Sequence, residues 1–424
     1  MKHIIYNYIG LFIFSTLLLN SIPALSAEDE DGGIPVIGGV IYPSLGVKSY
    51  YNDNVLLQDK NSKDSFVIVT SPRAKYFLEG DITEFKLDMG IEDGFYTHSH
   101  NDNYFDLDAN VDMSYYATER ITFFGNAGYK KGHEARGEGS QTGLNALNFD
   151  HPHRYRLWGA EAGFKYGVEE VGMPRIESSY SHDERRYSNN RERTRFQERN
   201  EERVNTALFY QVLPNTSLLI ESTLSRFSYM EGRQTRGEEA EAVDATDDLD
   251  SYQYSVLGGL KWQATYQTEG RFKIGWNEKF FDAKERGNSA GFSWELGVDW
   301  QPLAYTMLSL STSQRLEEAD GLGNDATVRR VDLSWKHYWR EWFKTTTSFY
   351  YSNQDFSGRS IVDDRAGNSR DREDDDFGVE LRADYEFRRW LTVGIDYSYS
   401  MRNSSRGGFD YERNMVGLHA LFSL

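Results

Sequence analysis

From residue 42 to the end of the chain, apolar and polar residues alternate one by one in segments of about ten residues or more. Phe105, Leu107, Ala109, Val111, Met113 and Tyr115 interleave with Asp106, Asp108, Asn110, Asp112 and Ser114. An extended strand puts these two sets on opposite faces, whereas a helix scatters both around its circumference. Tyr252, Tyr254, Val256, Gly258, Leu260, Trp262, Ala264 and Tyr266 share another such face, with aromatics gathered at its two ends. So do Phe292 to Trp300, Phe377 to Phe387 and Leu391 to Tyr399. Near 305–315 the pattern slips, because Leu308 and Leu310 fall opposite Tyr305 and Met307.

Two kinds of connection separate these segments. Short ones fall at Gly80-Asp81, Thr118 to Arg120, Glu169 to Met173, Leu213 to Asn215, Gln267 to Gly270, Gln301 to Ala304, Arg340-Glu341 and Phe387 to Arg389. Long polar ones fall around 52–64, 97–102, 134–153, 188–200, 231–250, 284–289, 317–326, 357–374 and 403–409. Eight short and nine long connections join about eighteen strands. Strands of a soluble sandwich average ~5–6 residues; these approach the ~9–11 residues of a tilted membrane strand. The expected fold is all-β, a transmembrane antiparallel up-and-down β-barrel with short turns and both termini periplasmic and long loops outside. Val416, Leu418, Ala420, Phe422 and Leu424 alternate to the last residue, as in the terminal strand of outer-membrane barrels, although the aromatic stands two places early.

Composition agrees with that reading. Mean hydropathy is low, yet aromatics make up 15% of the chain, with 28 Tyr, 25 Phe and 9 Trp. Aromatic girdles account for this excess, and a barrel stays polar on average because only every second residue meets lipid. The formal charge of −19 argues against nucleic acid. With no cysteine, disulfides, thiolate catalysis and Cys-ligated metals are excluded. Lys2 and His3, the apolar run Ile9 to Leu19 and the small residues Ala24, Ser26 and Ala27 read as a signal peptide over 1–27. Residues 28–41 read as a flexible periplasmic leader and 42–424 as the barrel. The expected location is the outer membrane of a Gram-negative bacterium, reached through the barrel assembly machinery and surrounded by lipopolysaccharide.

Candidate chemistry is sparse. The row from Asp106 to Asp112 imitates the start of a calcium loop but lacks the turn Gly and the terminal Glu, so it reads as an acidic row facing the lumen. The acidic runs Asp244 to Asp250 and Asp371 to Asp376 read as solvated loops, and the basic block Arg185 to Arg203 as an exposed loop. His98 with His100, and His151 with His153, lack a third metal ligand. No nucleophile elbow or phosphate loop stands out, so neither catalytic residues nor a metal or cofactor are expected. The informative positions are the lumen-lining candidates Lys86, Asp88, Glu92, Asp106, Asp108, Asp112, Lys261, Glu295, Asp299, Glu380, Arg382, Asp384 and Asp396. Acids dominate this set, which favours cations or neutral sugars; ladders of opposite charge that only brace the wall are the competing account.

The segments GVKSYYNDNVLL, DSFVIVTSPRAKYFLEG, ITFFGNAGYKKGHEARG and HPHRYRLWGAEAGFKY resemble the putative β-barrel porin 2 family. Its recognisable points here are Tyr51 to Val55, Ser71-Pro72, and the stretch with His133 and Arg136-Gly137. The resemblance implies an outer-membrane channel for export or passage of polysaccharide or saccharides, with polysaccharide-export components as partners. A general diffusion porin, marked by a constricting loop, and a structural or adhesion barrel stay open as alternatives.

Overall fold

The computed structural model describes residues 32–230, 249–265, 267–319, 323–358 and 372–424. The expected signal peptide, most of the acidic run from Asp244 and parts of two long loops lie outside these residues. Among the described residues, nineteen strands form one sheet. The first, β1 (Ile34–Val36), is a three-residue hook; the other eighteen make the wall. In order these are β2 (Gly39–Asn52), β3 (Ser65–Glu79), β4 (Thr83–Tyr96), β5 (Tyr104–Thr118), β6 (Ile121–Glu134) and β7 (His153–Gly167). β8 (Pro174–Tyr187), β9 (Arg199–Leu213), β10 (Thr216–Tyr229), β11 (Ser251–Thr265), β12 (Thr268–Phe281) and β13 (Ser289–Leu303) follow. β14 (Thr306–Glu317), β15 (Asp325–Arg340), β16 (Phe343–Ser357), β17 (Arg372–Arg388), β18 (Leu391–Ser404) and β19 (Tyr411–Ser423) complete it.

Each wall strand pairs antiparallel with its sequence neighbours, and β19 pairs with β2 from Met415↔Asn52 to Ser423↔Ser44. That last ladder closes the sheet and removes its edges. Wall strands run from 12 to 17 residues, long enough to cross a hydrocarbon layer at a tilt. Leu218, Ile220, Ile274, Trp276, Ile395 and Leu418 stand exposed on the outer face, as a surface meant for lipid would. Tyr166, Trp300, Trp339, Trp342, Phe387 and Trp390 ring the short-turn end, and Tyr51, Phe66, Trp158, Tyr252 and Phe292 the long-loop end.

The structure corrects several expectations. The leader is not wholly flexible: Ile34, Pro35 and Val36 pair with Ile41, Val40 and Gly39, so β2 starts three residues before position 42. The turn expected at Gln267 to Gly270 sits earlier, because Thr268 already belongs to β12. On β14, Leu308 and Leu310 pair with the outward Trp300 and Val298, so they hold the outer face and the apparent slip arises at the turn. Asp374 and Asp376 are not in a solvated loop; they are buried on the inner face of β17. The basic block is not an exposed loop either. Arg185 lies near the end of β8, Arg199 begins β9, both are buried, and a one-turn helix α1 (Arg191–Thr194) lies between.

Candidate functional site

The inner face of the barrel is the candidate site, and the cross-strand register fixes its composition. Alternation turns Lys86, Asp88 and Glu92 of β4 inward, opposite Asp112, Asn110 and Asp106 of β5. Between them Arg73 of β3 pairs with Asp88 and donates from Nη2 to both oxygens of Asp108 at 3.0 Å. Glu92 accepts from the Tyr104 hydroxyl at 2.5 Å, and His133 Nδ1 lies 2.9 Å from Asp106. The His133 ring stacks on Tyr104 at 4.0 Å.

A second cluster joins β17, β18, β19 and β2. Arg382 Nε donates to Asp384 at 3.1 Å, and His419 lies between Asp384 at 2.8 Å and Asp396 at 3.1 Å. Lys48 reaches Asp396 at 3.1 Å. Elsewhere Glu295 of β13 meets Lys273 of β12 at 2.7 Å, and the same ammonium sits 2.9 Å from Glu221 of β10. Asp299 accepts from Ser309 at 2.5 Å, while Lys261 faces inward between Ser217 and Arg271. The thirteen candidates therefore fall into separate groups around the wall. Sequence reading missed most of their cations: Lys48, Arg73, Lys273 and His419 each sit across a strand pair from the acids they serve. Pattern alone shows which face a residue takes; it does not show its neighbour on the next strand.

Toward the long-loop end the interior fills. Arg402 donates to Asp376 at 2.7 and 3.1 Å, and Arg372 pairs with Asp374 while lying 3.9 Å over the Phe409 ring. Across the mouth, Lys279 pairs with Glu318, which also accepts from the Tyr229 hydroxyl at 2.5 Å. The loop at 135–152 turns inward rather than out. Arg136 donates to Asp102 from Nε and Nη2, both at 2.6 Å, in a buried bidentate pair. Gln58 Nε2 donates to the carbonyl of Gly143 at 2.9 Å. Two glycines make this docking possible. Gly137 has φ +96°, and a Cβ there would sit 2.5 Å from the Leu56 carbonyl oxygen. Gly143 has φ +64°, and a Cβ there would sit 2.5 Å from the Gly408 carbonyl oxygen, beyond β18. The loop leaves the wall at β6 and reaches the β18–β19 connection, with β2, β3, β4, β5 and β19 between. Beneath it Tyr50, Val67, Val69 and Tyr96 turn apolar groups inward and pack with Val55, Leu56 and Ala146.

In the second histidine pair, His151 Nδ1 lies 3.1 Å from the Asn101 carbonyl, and buried His153 lies 2.8 Å from the Asn190 amide. Among the described residues no group of three or more His, Asp or Glu side chains is arranged to hold a metal ion.

A family model described as putative beta-barrel porin 2 matches residues 30–422. No curated protein matches the chain in sequence. Among solved structures, OccK2 (OpdF) of Pseudomonas aeruginosa is similar at 10% identity and TM-score 0.47, over 91% of this chain and 98% of that one. OccAB3 of Acinetobacter baumannii is similar at 11% identity and TM-score 0.43, over 91% and 99%. The FrpB iron transporter of Neisseria meningitidis (F5-1 variant) is similar at 10% identity and TM-score 0.46; the match covers 89% of this chain and 65% of that one.

Proposed function

The chain belongs to the putative beta-barrel porin 2 family, and from that premise we propose that it is a narrow outer-membrane channel that passes saccharides across the outer membrane of a Gram-negative cell. The observation that carries this reading is a closed eighteen-strand wall, wide enough for an aqueous lumen, with an inner face rich in polar and hydroxyl side chains. The long loops lie at the cell surface and the short turns and termini in the periplasm, where polysaccharide-export components would dock. Lipopolysaccharide surrounds the outer face, and the assembly machinery engages β19.

The lining is less acidic than its pattern implied, since Lys48, Arg73 and Lys273 offset part of the acid excess. A modest cation preference is the consequence. A second reading, a general diffusion porin for small solutes, is favoured by the inward loop itself. Single-channel conductance of the refolded mature protein in a planar bilayer tests both. A small, cation-preferring conductance that oligosaccharides interrupt supports the saccharide channel. Conductance indifferent to them leaves the diffusion porin, and a folded barrel without conductance sinks both.

A further inference from the structure

One part of the inner wall combines short polar side chains on adjacent strands with an open recess. Asp299, Ser309, Ser334, Ser348, Glu380 and Ser398 stand directly opposite one another on six consecutive strands, β13 to β18. The next inward row reads Gly297, Ser311, Asp332, Tyr350, Gly378, Ser400 and Arg413, from β13 to β19. At β3 to β5 and at β10 to β13 the inner face carries long side chains such as Arg73 and Lys273, cross-braced by ion pairs. Here serines and glycines leave a recess of ≈ 470 Å³, lined by both rows. That size falls among ligand pockets of roughly 300–1,000 Å³.

Five strand spacings of ~4.8 Å make the first row about 24 Å long. Because barrel strands tilt by ~35–45°, a row drawn across them climbs the wall rather than ringing it. The recess is thus a rising path of hydroxyls between acidic corners. Its cations divide their roles. Arg330 is held by Asp332, donating from Nε at 2.8 and 2.9 Å and from Nη2 at 2.6 Å. Arg413 is 6% exposed, donates from Nε to Ser400 at 3.3 Å, and leaves its buried Nη2 without a hydrogen-bond partner. Arg413 thus brings to the lining of the recess a guanidinium nitrogen that has no acceptor within the protein, and leaving such a donor unpaired is costly.

Resting on the channel reading above, we propose that this two-row wall is a saccharide-binding track, on which a neutral linear oligosaccharide lies across β13 to β19. Serine hydroxyls both donate and accept, which suits sugar hydroxyls in any orientation. Asp299 and Glu380 accept from sugar hydroxyls, and Arg413 Nη2 donates to a sugar oxygen. Three carboxylates against two guanidiniums leave the track slightly acidic, so polyanionic saccharides bind less well.

Equilibrium dialysis of the full-length mature protein in detergent tests the track without needing conductance. The probes are maltohexaose and cellohexaose as neutral chains, hexagalacturonate as an acidic one, and polyethylene glycol of matched size. At least one neutral hexaose should bind, and at least tenfold more tightly than hexagalacturonate or the glycol. The double substitution Ser334→Leu/Ser348→Leu, which fills the recess, should weaken that binding at least tenfold, and Arg413→Gln several-fold. Ser179→Leu, on the inner face of β8, should leave it unchanged. Heat-modifiability on a gel shows that each variant is folded. No binding of either neutral hexaose, equal binding of the glycol, or affinity indifferent to both track variants overturns the proposal. A protein that binds but does not conduct keeps the track and loses the channel; one that conducts but does not bind does the reverse.

Discussion

Arg136 and Asp102 hold the inward loop by two charge-assisted hydrogen bonds in a buried pair. Removing one partner of such a pair costs about 3–5 kcal/mol, because the other charge is left buried. Arg136→Ala should therefore undock the loop, giving larger and noisier single-channel conductance and a new protease cut within 135–152. Arg73 is a second control point, since it compensates both Asp88 and Asp108. Arg73→Ala should shift the reversal potential in a salt gradient toward the cation limit. The loop also carries Glu138, whose Oε2 is buried without a hydrogen bond. Burial raises its carboxyl above the ordinary 4.5, opposed by Arg413, His133 and Arg402. An acid raised in the docked state binds more protons there, so docking is fully favoured below pH 4.5 and weakens as pH rises above it. Conductance should accordingly fall on acidification through this window. Glu138→Gln should flatten that dependence, and an unchanged profile would exclude Glu138 as its source.

At the scale of elements, the segments that carry the family resemblance converge on the mouth. Asn52 accepts from the Asn54 amide, and Asp53 accepts from the backbone and side chain of Asn414 at 2.7 and 2.9 Å. Asn54 donates to the carbonyls of Gln58 and Glu412 at 2.8 Å and accepts from the Gln58 amide at 2.9 Å. The first loop is thereby pinned to the last strand just beyond the closing ladder. Asn54→Ala loses three hydrogen bonds at about 0.5–1.5 kcal/mol each, about 2–4 kcal/mol in sum. Its barrel should unfold at a lower temperature on a heat-modifiability gel. Gly137 serves the same region from the other side. Gly137→Val should undock the loop much as Arg136→Ala does, because a branched side chain is strained at its φ and meets the Leu56 carbonyl. At Ser71-Pro72 the ladder with β4 is interrupted, as expected where Pro supplies no N–H.

Over the whole molecule the lumen is asymmetric. One arc of the wall, β3 to β5, is braced by long charged side chains and capped by the docked loop. The arc from β13 to β19 is lined in its middle by small hydroxyl groups, and its ion pairs gather toward the long-loop end and around His419. A solute following the open arc passes the serine rows before it meets the packed mouth. Leucines on those rows should affect saccharide binding, whereas changes to the braced arc should act on selectivity and stability.

Alternation along each strand, read with the turn signals between strands, determined the barrel and its strand number, because side-chain direction has period two and is set locally. Turn and loop lengths determined which strands are neighbours. The sequence alone did not show that 135–152 folds inward, since its polar composition suits an outward loop equally; tertiary contacts from Asp102, Gln58 and Gly408 decide it. Nor did it show that Ser309, Ser334, Ser348 and Ser398 form one row. Each is an ordinary polar residue on its own strand, and only the register between strands, summed around a closed wall, brings them into line.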